Sequence, residues 1–315
     1  MPVVKALLAI LFLLILSGPL MAQENPPDRN GGDALQSLNS WMEENLDDNV
    51  LNALQQIDQD RIREIFTALQ QRFQGTNILE LGSFREAADH ALPVLQQFEE
   101  TRPYAVWLQT HLDYFDASEE LRRQSKPSAR SGASLVPPAP PLKLQRQVWV
   151  QELSHRPWPP LAQTYVPRLK EIFIAEKLPP QLVWVAEVES SFDPSARSPA
   201  GAAGMFQLMP QTARAQKLSL WPCDERLQPE KSAHASARYL RYLRDHYNGD
   251  WQLALAAYNA GEARIDKLLK QHKVHTFDAI ARRLPAETQM YVPKIEATIQ
   301  KREGLTLAEL KAQKI

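Results

Sequence analysis

The chain has 315 residues, enough for two modest domains or one large one. Its apolar content of 44%, charged content of 23% and formal net charge of −1 are ordinary for a globular protein. They supply no global field for nucleic acid or an anionic membrane surface. Pro at 24 residues and Gly at only 11 favour helices joined by stiff connections.

The first residues, MPVVKALLAILFLLILSGPLMAQ, place Lys5 ahead of an apolar run from Ala6 to Leu16. Gly18 and Pro19 break that run, and Ala22 offers a small residue for cleavage. This pattern is read as a secretory signal peptide over 1–22. It implies an exported, periplasmic protein, membrane-associated if the segment is not cleaved. The run falls short of the roughly 20 residues a comfortable span needs. Cys223 is the only cysteine, so no internal disulfide is expected. A lone Cys of this kind is read as a buried small hydrophobe.

Residues 23–123 read as a helical module. Leu51, Leu54, Ile57, Ile62, Ile65, Leu69 and Phe73 recur at helical spacing. Ser83 with Glu86 has the form of a capping box, and Pro93 is expected to bend or interrupt the helix that follows. No motif here carries recognisable chemistry; this module is where cell-wall protein partners would bind. Residues 124–143, rich in Ser, Ala and Pro at their centre, read as a linker.

The remainder, 144–315, is punctuated as helices: Pro180 opens one, Asp250 caps another, Gly249 and Gly261 end two. No two-residue alternation persists, so the expected fold class is all-α, with irregular segments at 193–210 and 219–230. On a wheel of 100° per residue, Leu182, Val185, Ala186 and Glu189 share a narrow apolar sector. Glu189 is therefore expected on a core- or cleft-facing stripe, where burial raises a carboxyl pKa and suits it to donate a proton. Glu187 points well away and reads as a solvated surface residue. Gln207, with donor and acceptor on one amide, suits sugar hydroxyl or acetamido groups; the plainer reading is an amide bound to nearby backbone.

The stretch ESSFDPSARSPAGAAGMFQLMPQTA resembles the signature of the family 1 lytic transglycosylases, the soluble-lytic-transglycosylase (SLT) domain. LALAAYNAGEARI and LPAETQMYVPKI are similar to that family's second and third motifs, in family order, across about residues 145–300. The resemblance is nearest to the membrane-bound transglycosylase D-like branch. It implies a goose-lysozyme-like α fold and cleavage of the β-1,4 MurNAc–GlcNAc bond of peptidoglycan glycan strands, leaving a 1,6-anhydro end. Carried over by position, Glu189 is the acid and then the base. Ser190 supports it or the substrate's acetamido group, Gln207 lines the cleft, and Tyr258, Asn259 and Tyr291 shape the site. Where that branch often has Trp before the Gln and Phe after it, this chain has Phe206 and Leu208. Where the last motif has Arg, it has Gln289.

Glycosidases ordinarily use two carboxylates. Asp193 and Asp224 read as turn or cap residues, Glu262 as a first-turn helix residue, and Glu287 as a partner for cleft tyrosines or a helix N-terminus. If one of them held a water, the chain would be a hydrolytic muramidase; an inactive peptidoglycan-binding protein is the other alternative. Neither a metal nor another cofactor is expected, because the seven His are scattered. Trp158, Trp184, Trp221 and Trp251 are candidates for sugar stacking, though mostly read as core.

Overall fold

The computed structural model describes residues 69–96, 101–125 and 139–312. The signal peptide read at 1–22, the apolar stripe from Leu51 to Ile65 and most of the linker lie outside the described residues. Among the described residues there is no strand, only the isolated bridges Arg197 to Ala203 and Ala203 to Leu208. The fold is all-α, as expected.

A 3₁₀ segment, Ile78–Phe84, is capped by Asn77 and runs directly into helix α1 (Arg85–Leu95). The cap therefore falls six residues before Ser83, whose hydroxyl instead donates to the Glu80 carbonyl at 2.7 Å. Pro93 lies in the last turn of α1 and removes one backbone donor there, yet the helix reaches Leu95 uninterrupted. Helices α2 (Arg102–Gln124) and α3 (Leu142–Ser154) follow, so both ends of the expected linker are already helical. Then come α4 (Ala162–Ala175), the 3₁₀ turn Pro180–Trp184 and the short α5 (Val185–Ser190). After an irregular loop lie α6 (Pro210–Ala215), α7 (Pro229–His246), α8 (Trp251–Ala260), α9 (Glu262–His272) and α10 (Phe277–Ile280). Asp250 caps α8 by accepting from the Leu253 amide, as its sequence position predicts. Helix α11 (Ala286–Glu303) and α12 (Leu307–Ala312) complete the order.

Two apolar clusters meet on α11. One gathers α4, α5, α7 and α8 with Tyr291, Val292, Ile295 and Ile299 of α11. The other joins α1, α2 and α3 to Ala286, Met290 and Ala297 of the same helix. Residues on both sides of the linker thus share one core, and α11 is buried on nearly every face.

A helix enclosed in this way can hold charge only where partners are brought to it. Lys294, 2% exposed, donates to Asp113 of α2 at 2.9 Å and lies over the Tyr114 ring. Arg156 binds the other oxygen of Asp113 at 2.7 Å. Burial would raise the Asp113 carboxyl, but Lys294 and Arg156 outweigh it and hold the group below its ordinary range.

Near the other end of α11, Arg302 forms a two-pronged bond to Glu187, at 2.7 and 2.9 Å. Both side chains are only 3% exposed. Glu187 is therefore not a solvated surface residue. The wheel fails for two reasons. The segment begins as a 3₁₀ turn, which advances more steeply than 100° per residue, and packing covers α5 on the Glu187 side, where Arg302 meets it. Cys223 is exposed and not buried, because it sits in the irregular stretch before Glu225–Leu227 beside Trp221, itself 84% exposed. Trp184 and Trp251 are core, whereas Trp158 is exposed.

Removing one member of a buried pair strands the other. Glu187→Ala is expected to lower stability by about 3–5 kcal/mol, read as a shift in the urea unfolding midpoint.

Candidate active site

Helix α5 ends in a left-handed turn. Ser191 and Phe192 adopt φ of 53° and 65°, and their amides bond back to the Glu187 and Ala186 carbonyls at 2.9 and 3.1 Å. The Phe192 ring is fully buried, which holds this costly backbone in place. The turn leaves Glu189 as the one residue of α5 that is not buried.

Tyr291 of α11 donates its hydroxyl to Glu189 Oε1 at 2.6 Å. No Lys, Arg or His of the described residues pairs with this carboxylate, in contrast to Glu187 two positions earlier. Desolvation raises its pKa to about 8, against the Tyr291 hydrogen bond, which lowers it; the charge of Glu287 pushes it up and that of Lys294 pulls it down. Near neutral pH Glu189 is mostly a protonated acid held next to solvent. It can give a proton and, once ionised, take one back. The Tyr291 phenol is itself pushed up by burial and by the neighbouring Glu189, so it stays a donor.

The loop that follows is built around its own backbone. Ala203 and Leu208 exchange both amide bonds at 3.2 Å, and the Gly204 amide donates to Ala196 at 2.8 Å. A Cβ on Gly204, φ +78°, would stand 1.8 Å from the Arg226 carbonyl oxygen, so only Gly fits. The Arg226 guanidinium, nearly buried, donates to the Gly201 and Leu208 carbonyls at 2.8 Å and is itself held by Asp224. Sequence reading missed Arg226, which lies outside the three motifs and whose charge alone does not mark it as a loop brace.

The other expected site residues are brought to this place, with roles that differ in detail. Ser190 is 3% exposed and donates to the Met205 carbonyl at 2.8 Å. Tyr258 donates to the next carbonyl, Phe206, at 2.7 Å and lies 3.1 Å from the Ser236 hydroxyl. These two hydroxyls clamp successive loop carbonyls beside Glu189. The Gln207 amide donates to the Gly204 and Ala196 carbonyls at 2.7 and 3.3 Å, the plainer of its two readings. Asn259 donates to Glu287 at 2.9 Å and accepts from Thr288 at 2.7 Å.

Glu287 lies in the first turn of α11, at that helix's N-terminus, and its carboxylate bonds to Asn259 rather than to a cleft tyrosine. It is held between Asn259 and His111 of α2, whose Nε2 is 3.8 Å away. Burial raises the Glu287 carboxyl, but His111, Asn259 and Lys294 more than offset this and keep it ionised. The His111 ring is stacked on Trp107, with centroids 4.0 Å apart. The sequence offered no signal for His111, since it acts across 176 positions of chain in a segment that matches no motif. Gln289, in place of the family's Arg, is buried and donates to the Thr76 and Leu284 carbonyls, away from Glu189's surface. Asp193 and Asp224 are turn and cap residues as read, accepting from the Ser195 and Arg226 amides.

Comparison with known proteins matches residues 174–280 to the Transglycosylase SLT domain. Membrane-bound lytic murein transglycosylase D of Escherichia coli K12 is 40% identical over 123 residues, 38% of this chain and 27% of that protein. Soluble lytic murein transglycosylase of Salmonella typhimurium is 33% identical over 36% of this chain and 19% of that one. The alignment with transglycosylase D thus spans about a quarter of that relative's length. Among solved structures, the 70 kDa soluble lytic transglycosylase of Escherichia coli aligns over 93% of this chain and 64% of that one, at 17% identity and a TM-score of 0.38. Residues 174–280 of this chain match the Transglycosylase SLT domain, and the chain is similar over part of its length to lytic murein transglycosylases.

Proposed function

We propose that the protein is a peptidoglycan lytic transglycosylase that cuts the β-1,4 bond between MurNAc and GlcNAc without consuming water. The observation that carries this reading is the state of Glu189: partly exposed, unpaired by any cation of the described residues, and protonated up to about pH 8. Glu189 protonates the glycosidic oxygen as the C1–O bond breaks. The 2-acetamido group of MurNAc supports the cationic centre at C1. Glu189, now a carboxylate, removes the proton from the C6 hydroxyl, whose oxygen closes on C1 to give the 1,6-anhydro sugar. Tyr291 fixes the rotamer of Glu189 and steadies the carboxylate formed midway.

The binding of Glu287 favours this over hydrolysis. Its carboxylate is engaged by Asn259 and faces His111, so it is tied into the protein and not set to activate a water. Its negative charge instead helps keep Glu189 protonated. In this reading 144–315 is the catalytic unit, residues 69–123 brace it from beneath, and the site of action is the cell envelope. Tyr258 and Asn259 hold the loop and the Glu287 carboxylate around the reacting group, and Gln207 keeps the loop closed.

Glu189→Gln is expected to cut release of soluble muropeptides from purified sacculi by at least about a thousandfold, the scale of general acid–base catalysis. Mass spectrometry of wild-type products should show muropeptides lighter by one water than hydrolysed ones; full-mass products would establish a muramidase instead.

Activity should follow the acid form, so kcat/KM is expected to fall as pH rises through about 8. The sign for stability is the same. A carboxyl whose folded pKa lies above its unfolded value binds protons more tightly when folded, so its contribution declines between about pH 4.5 and about 8. Glu189→Gln should therefore gain stability over wild type at pH 8 and little at pH 4, by chemical denaturation at the two values.

Tyr291→Phe removes the donor that favours the carboxylate. It is expected to lower kcat about ten- to a hundredfold with little change in KM, and to move the alkaline limb to higher pH.

A further inference from the structure

Helix α2 holds one side chain in an unusually defined slot. The His111 ring lies between Trp107 and Tyr114, one helical turn to either side of it. Its centroid is 4.0 Å from the first and 5.2 Å from the second, with planes within 18° and 24° of parallel. Phe73 meets it edge-on at 5.1 Å. His111 Nδ1 lies 2.7 Å from the Trp107 carbonyl oxygen and 3.2 Å from the Thr110 hydroxyl. A carbonyl only accepts, so this partner assigns the Nδ1 proton and fixes the ring's orientation. Nε2 is then aimed at Glu287 Oε1, 3.8 Å away. An imidazolium so placed has an aromatic face on each side and a carboxylate at its tip.

Glu287 carries this contact to the site. It stands one turn before Tyr291 on the same face of α11, and Tyr291 donates to Glu189. Its Oε1 also accepts from Asn259, the neighbour of Tyr258. The charged and titratable groups that face Glu287 are His111 and Tyr114 from α2, Lys294 from α11 and Glu189 from α5; Asn259 of α8 is neutral. Burial raises the Glu287 carboxyl, and His111 is the foremost of the partners that bring it down. Glu189 is raised by desolvation first and further by the Glu287 charge.

We propose that His111 is a positioning residue for the reaction, acting on Glu189 through Glu287. It stands behind Glu287 and not on the reacting group. The proposal rests on the transglycosylase reading for what Glu189 does, but not for the link among the three residues. Without His111, burial is left to protonate Glu287. Glu189 then loses a like charge beside it and becomes a stronger acid, ionised at lower pH. A helix outside every recognised motif thus sets how long the acid form persists as pH rises.

The test titrates the Glu189 carboxyl by carbon NMR in the full chain, its signal assigned by its loss in Glu189→Gln. His111→Phe keeps a ring between Trp107 and Tyr114 and drops the nitrogens; His111→Gln drops the ring and keeps a donor. Either is expected to lower the Glu189 midpoint by roughly half to one pH unit, and Glu287→Gln by at least as much. The alkaline limb of kcat/KM should move down with it, costing about two- to fivefold at pH 8 with KM unchanged. Added to Glu287→Gln, His111→Phe should shift the midpoint no further. A midpoint unmoved by either His111 variant would overturn the proposal. So would an undiminished shift in the Glu287→Gln background, which would have His111 act without Glu287. Loss of folding in both His111 variants would do the same, since it would assign the residue to the core alone. Muropeptide release by the wild type, measured in parallel, separates this from the reading it rests on. If nothing is released while the midpoint shifts, the catalytic reading fails and the link stands. If anhydro products appear and the midpoint stays, the reverse holds.

Discussion

The structure depends on the enclosure of α11. A helix covered on nearly all sides by two apolar clusters cannot leave a charge bare, and α11 carries several. Each is met from a different part of the chain. Glu287 meets His111 and Asn259, and Lys294 meets Asp113. Glu296 meets Arg146 and Gln252, and Arg302 meets Glu187. Glu303 accepts from Lys170 and the Trp184 indole. These contacts fix the register of α11 against α2, α3, α5 and α8 together. Tyr291 is then delivered to one place, and Glu189 waits there. The unpaired carboxylate is informative because so many neighbouring charges are paired.

That pattern separates two glutamates only two positions apart. Glu187 is locked in a two-pronged bond and belongs to the framework. Glu189 has a phenol, which donates a hydrogen bond to it but carries no charge to offset the carboxylate's. Desolvation without a counter-charge produces an acid near neutrality; desolvation with one produces a strut. The sequence singled out Glu189 through periodicity and the motif around it, and the structure places it partly exposed beside Tyr291. It misjudged the other because a helical wheel assumes a regular 100° step, and α5 is entered from a 3₁₀ turn with its Glu187 side covered by Arg302.

The all-α class, the Asp250 cap, the irregular 193–210 loop and the gathering of Glu189, Gln207, Tyr258, Asn259 and Tyr291 were legible from local spacing and motif order. What was not legible acts at long range. Arg226 braces the loop from outside any motif. His111, Asp113 and Lys294 form a polar seam below the site, and two of the three come from a helix with no recognised signature. Ser190 and Tyr258 were identified as site residues, but only coordinates reveal that their hydroxyls are spent on the Met205 and Phe206 carbonyls. Pair potentials of this sort leave no period in a single sequence.

The stretch matching the SLT domain stops at 280, short of both Glu287 and Tyr291. A fragment trimmed to that match would keep the Glu189 carboxyl and lose the Tyr291 phenol that donates to it. It would also expose the apolar flank against which α11 lies. Minimal excision is therefore unsafe here: a unit that keeps this core must reach back to α1 and α2 and forward through Glu303, so residues 69–96 and 101–125 are part of its foundation rather than a detachable appendage.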